Sequence, residues 1–293
     1  MFMNLLPLTH QSRSLILLAP QGARPSRFTD VRRDPELHEN ILAEMQKFRG
    51  QVYVSEGNLT PADLTSDGRH LQAVDYKSWH LLTINEYGSV AACGRLVFHR
   101  PDAGFSELLV SHCALAHTER WGYLLRRLVE AELRSAREQC MQFAELGGWA
   151  IAKELRCSTE AVRMVLAGYA LGQTLGGVRG ISTVNTQHHS SSILRRIGGS
   201  PLSMNGIEVP PFYEPQYRAE LEILRFDSFQ PNPRYETYIQ QCRAALGTVM
   251  VISSESASTA CDTPEFTWNV TPCTEHSTGM GYSQNFFHKA ANF

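Results

Sequence analysis

The sequence contains no cysteine pair at CxxC spacing, no GxSxG elbow and no phosphate-cradling P-loop. A zinc knuckle, a serine hydrolase of the elbow type and a P-loop nucleotide hydrolase are therefore unsupported. Seven cysteines stand alone, at positions 93, 113, 140, 157, 242, 261 and 273. An odd, scattered set opposes a disulfide framework and suits a reducing cytosol, so a cytoplasmic protein is expected. Charge of one sign is also missing: 27 Lys and Arg face 29 Asp and Glu, for a net charge of -2. That balance offers no bulk attraction for nucleic acid, and none is expected as a partner. The apolar run at 15–19 is the longest near the N-terminus and is too short for a signal-peptide core or a membrane span. No integral membrane segment is expected. His188-His189, and His112 with His117, have no third ligand at metal spacing, so no metal site is expected either.

What the chain does have is apolar patterning. Hydrophobic residues make up 43% of 293, enough to build a core through most of the length. Residues 1–30 read as a flexible leader. Leu37, Ile41, Leu42, Met45 and Phe48 then recur at helical spacing and predict a helix over 36–48. Apolar segments at 80–84 and 90–98, joined by Asn85-Glu-Tyr-Gly88, predict a hairpin. The spacing of Trp121, Leu125, Leu128 and Ala136 predicts a helix over 119–140 with arginines on its other side. Strands follow at 143–151, 180–184 and 220–226, with helices at 159–175 and 190–197 between them and one at about 233–246. Beyond 247 the chain is rich in Ser and Thr, and 247–293 reads as a mostly disordered tail. The expected core domain, 31–246, is a mixed α/β domain with helices packed on a central sheet.

One strand carries candidate chemistry. In Phe143-Ala-Glu-Leu-Gly-Gly-Trp-Ala-Ile151, strand alternation puts Phe143, Glu145, Gly147, Trp149 and Ile151 on one face. A carboxylate among apolar strand residues is costly to bury without a partner or a job. Glu145 reads either as a general base raised in pKa by desolvation or as a buried ion-pair member. Gly147 and Gly148 suit a bulge whose N–H groups hold a carbonyl oxygen. Downstream, Ser158 or Thr159 suits a helix cap, and the helix start beside Arg156 suits either an anion or an ordinary cap. Tyr53, Trp79 and Trp149 read as the lining of an apolar cavity or simply as core.

The run Glu145-Leu-Gly-Gly-Trp-Ala-Ile151, Arg156, Gly180-Ile-Ser-Thr183 and His189-Ser-Ser-Ser-Ile-Leu-Arg-Arg-Ile-Gly-Gly199 resembles the bacterial N-acyl amino acid synthases. These are GNAT-superfamily relatives of the autoinducer (acyl-homoserine-lactone) synthases. Arg49-Gly-Gln-Val-Tyr53, Asp75 and Gly94-Arg-Leu-Val97 are similar to the autoinducer-synthase pattern upstream. The resemblance covers about 31–228 and implies a GNAT-like (acyl-CoA N-acyltransferase) α/β fold. Its sheet would be mixed and mostly antiparallel, with helices on both faces. The implied activity moves a long acyl chain from an acyl carrier protein thioester to the α-amine of an amino acid. The carrier protein and a small-molecule amino acid acceptor are then the partners, and acyl-acyl carrier protein or acyl-CoA is the co-substrate with no resident cofactor.

In those terms Glu145 takes the amine proton, while backbone N–H groups at Gly147 and Gly148 hold the oxyanion. Arg156, Ser158 and Thr159 receive the pantetheine phosphate, Trp149 lines the acyl-pantetheine site, and Arg49, Asp75 and Arg95 organise the substrate side. Those last three suit an internal salt-bridge cluster equally. The usual GNAT pyrophosphate loop is absent after Ile151, which points the donor towards a carrier protein. Gly148 stands where autoinducer synthases carry an Arg, which points away from a homoserine lactone product. Arg126, Arg127, Arg134, Arg137, Arg195 and Arg196 are candidates for a carrier-docking face, or for ordinary solvated helix faces. The alternatives are an acyl-homoserine-lactone synthase and a non-catalytic module that binds carrier protein or lipid.

Overall fold

The structure, a computed structural model, describes residues 9–10, 13–187 and 189–256. The described elements begin with β1 (Thr9–His10), β2 (Arg13–Leu18), β3 (Val31–Arg33) and α1 (Pro35–Ser55). Next come β4 (Ser78–Asn85), β5 (Val90–His99), α2 (Gly122–Glu138), β6 (Gln142–Ile151) and α3 (Glu160–Thr174). β7 (Val178–Asn185), α4 (Ser190–Ile197) and the short β8 (Ser200–Pro201), β9 (Ser203–Met204) and β10 (Ile207–Glu208) follow. The last elements are β11 (Phe212–Glu214), β12 (Ala219–Asp227), α5 (Pro233–Leu246) and β13 (Val251–Ser253).

The main sheet runs β11-β12-β7-β6-β5-β4-β2-β13-β3. β6 and β7 pair in parallel, as does β13 with β2 and β3; the other pairs along this path are antiparallel. The architecture is thus α/β with a mixed, mostly antiparallel sheet. Helices cover both faces. Leu42, Met45 and Val52 of α1 pack on Ile16, Leu18, Leu82 and Cys93. Met164, Leu166, Ala167 and Leu171 of α3 belong instead with Leu15, Leu17, Leu81 and Leu96, and Ile239 and Leu246 of α5 join them. On the α1 side, the apolar stripe of α2 (Leu125, Leu128, Val129, Leu133, Ala136) meets Phe143, Ile181, Leu221 and Ile223.

The flexible leader expected at 1–30 is corrected by β2. Leu17 and Leu18 are fully buried, one on each face, so this segment is an inner strand between β4 and β13. Each side chain contributes about 1.5–3 kcal/mol of burial. The tail boundary at 247 is corrected as well, because Val251 and Ile252 are buried in the parallel β13. The remainder of that expected tail, 257–293, lies outside the described residues.

A third correction concerns β6. Its register against β5 shifts between Cys93 and Arg95, and Gly148 sits in the left-handed region at φ 61°. A bulge adds a residue and inverts the phase of a strand. Phe143 accordingly packs on the α2 side, whereas Trp149 and Ile151 pack on the α3 side. The five odd-numbered residues do not share a face.

Candidate functional site

β6 and β7 are hydrogen-bonded only as far as Leu146 and Ser182, although both strands run on to Ile151 and Asn185. Where the pairing stops the strands part, and a cavity of about 720 Å³ opens between them. Gly147 to Ile151 form one side and Ile181 to Asn185 the other; Met164, Val165, Ile193 and Leu194 make an apolar wall. Leu109 and Val110 reach it from a ribbon of three 3-10 turns, Phe105–Glu107, Leu109–His112 and Ala114–His117.

Glu145 is 5% exposed and lines this cavity. Leu109 N–H donates to its Oε2 at 2.7 Å and Val110 N–H to its Oε1 at 2.8 Å. His99 Nε2 sits 2.8 Å from the same Oε2. A carboxylate has about four acceptor positions, so one remains for a ligand N–H or a water. Two of its three partners are main chain, which fixes the oxygens more firmly than a flexible side chain would. The partners the structure supplies are backbone and a histidine.

Gly148 is required by its surroundings. A Cβ there would lie 3.2 Å from Arg49 Nη1 and 3.3 Å from Arg95 Cδ, on a backbone that L-residues avoid. Behind the bulge, Asp75 accepts from Arg49 Nη1 at 2.9 Å, from Arg49 Nη2 at 2.7 Å and from Arg95 Nη1. Gln46 adds a fourth donor at 3.1 Å. Burial opposes ionisation of Asp75, but the Arg49 hydrogen bonds and the two guanidinium charges outweigh it and hold its pKa below the usual carboxylate range. Burial drives His80 down to about 4, and burial with the nearby Arg49 charge does the same to His70.

At the other end, Arg156 is engaged by Glu56 at 2.7 Å. The Ser158 hydroxyl donates to Leu155 O and accepts the Glu160 N–H, so Ser158 is the residue that caps; Thr159 makes no side-chain cap bond. Glu160, the first residue of α3, is buried with Arg163 and accepts from Thr83. A carboxylate therefore already occupies the positive end of that helix.

The cavity brings together Arg95, Glu145, Gly147, Gly148, Trp149, Arg156 and Ser158 from the sequence reading. Arg49 and Asp75 lie behind it with fully buried side chains, and Thr159 is outside the lining. The indole Nε1 of Trp149 is buried without a hydrogen-bond partner. His99 and Glu214 were missed. Neither stands in a motif, and each is brought to the site by a strand distant from Glu145 in sequence or in the sheet. Arg195 and Arg126, among the candidate docking arginines, meet Glu222 and Glu130 respectively. Among the described residues no group of three or more His, Cys, Asp or Glu is placed to hold a metal, and no helix is long and apolar enough to cross a membrane.

No family model and no curated protein matches the sequence. Among solved structures, the chain is similar to a CoA-dependent acyl-homoserine lactone synthase, BjaI, with SAM and isopentyl-CoA, at TM-score 0.48 and 12% identity over 83% of this chain and 95% of that one. It is similar to FeeM, an N-acyl amino acid synthase from uncultured soil microbes, at TM-score 0.40 and 10% identity over 73% and 88%. The AHL synthase LasI gives TM-score 0.39 and 16% identity over 81% and 96%. These similarities are distant.

Proposed function

We propose that the chain is an N-acyltransferase that moves a long acyl group from an acyl carrier protein thioester to the α-amine of an amino acid. The observation that carries this reading is the parting of β6 and β7 around a largely apolar cavity with the buried Glu145 carboxylate in its wall. An extended thioester arm fits between parted parallel strands, where main-chain groups released from pairing are free to bind it. The amine nitrogen attacks the thioester carbonyl carbon, and the C–S bond breaks. One amine proton goes to the open acceptor position of Glu145, directly or through a water, and the departing thiolate takes up a proton as thiol. The Trp149 indole N–H and the main chain at Gly147 and Gly148 are the donors assigned to the developing oxyanion. Arg95 and the Arg156–Ser158 corner border the acyl-pantetheine arm.

The test is mass spectrometry of lipid extracts from bacteria expressing the chain or its Glu145→Gln variant. New species with the mass of a fatty acyl group plus one amino acid, lost in the variant, are expected. Equal amounts with the variant would remove Glu145 from the chemistry, and a ring-closed lactone instead would change the product class.

A further inference from the structure

Six carboxylates are buried among the described residues: Asp75, Glu145, Glu160, Glu214, Glu222 and Asp227. Five face a basic side chain, namely Arg49 and Arg95, His99, Arg163, Arg195 and Arg179 in turn. Glu214 is the exception. It is 8% exposed, and its carboxylate meets only main chain: Ala114 N–H donates to Oε2 at 2.8 Å, and Gln216 N–H lies 3.5 Å from Oε1. The second contact is at the limit of a hydrogen bond, so Oε1 keeps most of its accepting capacity. A buried carboxylate without a counter-charge is costly, and buried charges in proteins are ordinarily paired.

Glu214 also lines the same cavity as Glu145. It holds the start of the third 3-10 turn through Ala114, as Glu145 holds the start of the second through Leu109 and Val110. Tyr53 and Tyr217 line the cavity too, edge to face at 6.2 Å, and aromatic faces favour a cation.

We propose that Glu214 is the binding site for the protonated amine of the acceptor, the counter-ion that the fold itself omits. This rests on the acyl-transfer reading above. An amino acid arrives in water as its ammonium form, and the buried carboxylate draws it out of solvent into the cavity; the extra proton passes to Glu214 or to a water before the free amine attacks the thioester and gives its next proton to Glu145. Acceptors with a free amine are thereby chosen over neutral, amine-blocked molecules of the same shape.

The experiment is calorimetric titration of the whole chain at about pH 6.5, below the ~7.7–8.0 range of an α-amine. The probes are a panel of L-amino acid methyl esters and their N-acetylated, uncharged counterparts. The best ester is expected to bind about tenfold to a hundredfold more tightly than its N-acetyl form, the range for one charge-assisted contact. Glu214→Gln, whose carbonyl still accepts from Ala114, should erase that preference. Equal binding of both probes, or binding of neither, overturns the proposal with the wild type alone, even if the variant fails to fold. An undiminished preference in a folded variant overturns it equally. A preference that behaves as expected, in a protein that acylates neither the esters nor the free amino acids from any acyl-carrier or acyl-CoA donor, keeps the cation site and sinks the acyltransferase reading.

Discussion

Asp75 and Glu214 are both buried carboxylates, one behind the cavity and one in its wall. Asp75 meets two guanidiniums and a carboxamide; Glu214 meets two main-chain N–H groups and, among the described residues, no basic side chain. In the first, the carboxylate has its opposite charges within the protein, and the cluster ties α1, the loop before β4 and the bulge in β6 together. The second is held by main chain alone. Burial alone therefore does not distinguish these two carboxylates; they differ in whether the protein itself places basic side chains against them.

The comparison breaks most sharply at Asp75. Asp75→Asn strips two buried guanidiniums of their counter-charge and should cost about 3–5 kcal/mol in urea or guanidinium unfolding. Glu214→Gln removes a charge that has no partner, so its effect on stability should be far smaller, with its effect confined to acceptor binding. Similar losses in both variants would erase the distinction. Acid acts on a similar scale. His70 and His80 have folded pKa values of about 4 against an ordinary 6.5. The unfolded chain then binds more protons between those limits, so stability should fall as pH drops through that window, by about 1.4 kcal/mol per unit for each histidine. Asp75, with its pKa depressed, adds a further loss only at lower pH, as the solution approaches that pKa. Unfolding midpoints that do not move between pH 6.5 and 4 would contradict neutral burial of the two rings.

Gly148→Ala comes after these. The left-handed backbone and the contact with Arg49 and Arg95 should cost about 1–3 kcal/mol by melting, with acyl transfer falling further than stability. The smallest effect belongs to Arg156→Ala. Its pair with Glu56 is partly exposed and should be worth about 0–1 kcal/mol, so any larger loss would be read in donor KM rather than in melting.

Much of the sheet was legible because its strands alternate or end on turn residues, as at 80–98 and 220–226. β2 was not. Both of its faces are buried, so Leu15 to Ala19 is a continuous apolar run without period, indistinguishable from a stray patch. β13 is three residues long and is stabilised only by parallel neighbours remote in sequence. The burial of Glu145 and a bulge near Gly148 were legible; the inverted phase beyond the bulge was not, because an inserted residue leaves no periodic trace. Glu214 is set by a pairing with the distant Ala114 backbone, which no local pattern encodes.

The most direct test of the account is thiol release from an acyl carrier protein thioester by purified protein, with and without an amino acid. Release is expected to depend on the amine and to be about 10²–10⁴-fold slower in folded Glu145→Gln. Release at the same rate without an amine, or unchanged in the variant, would contradict it.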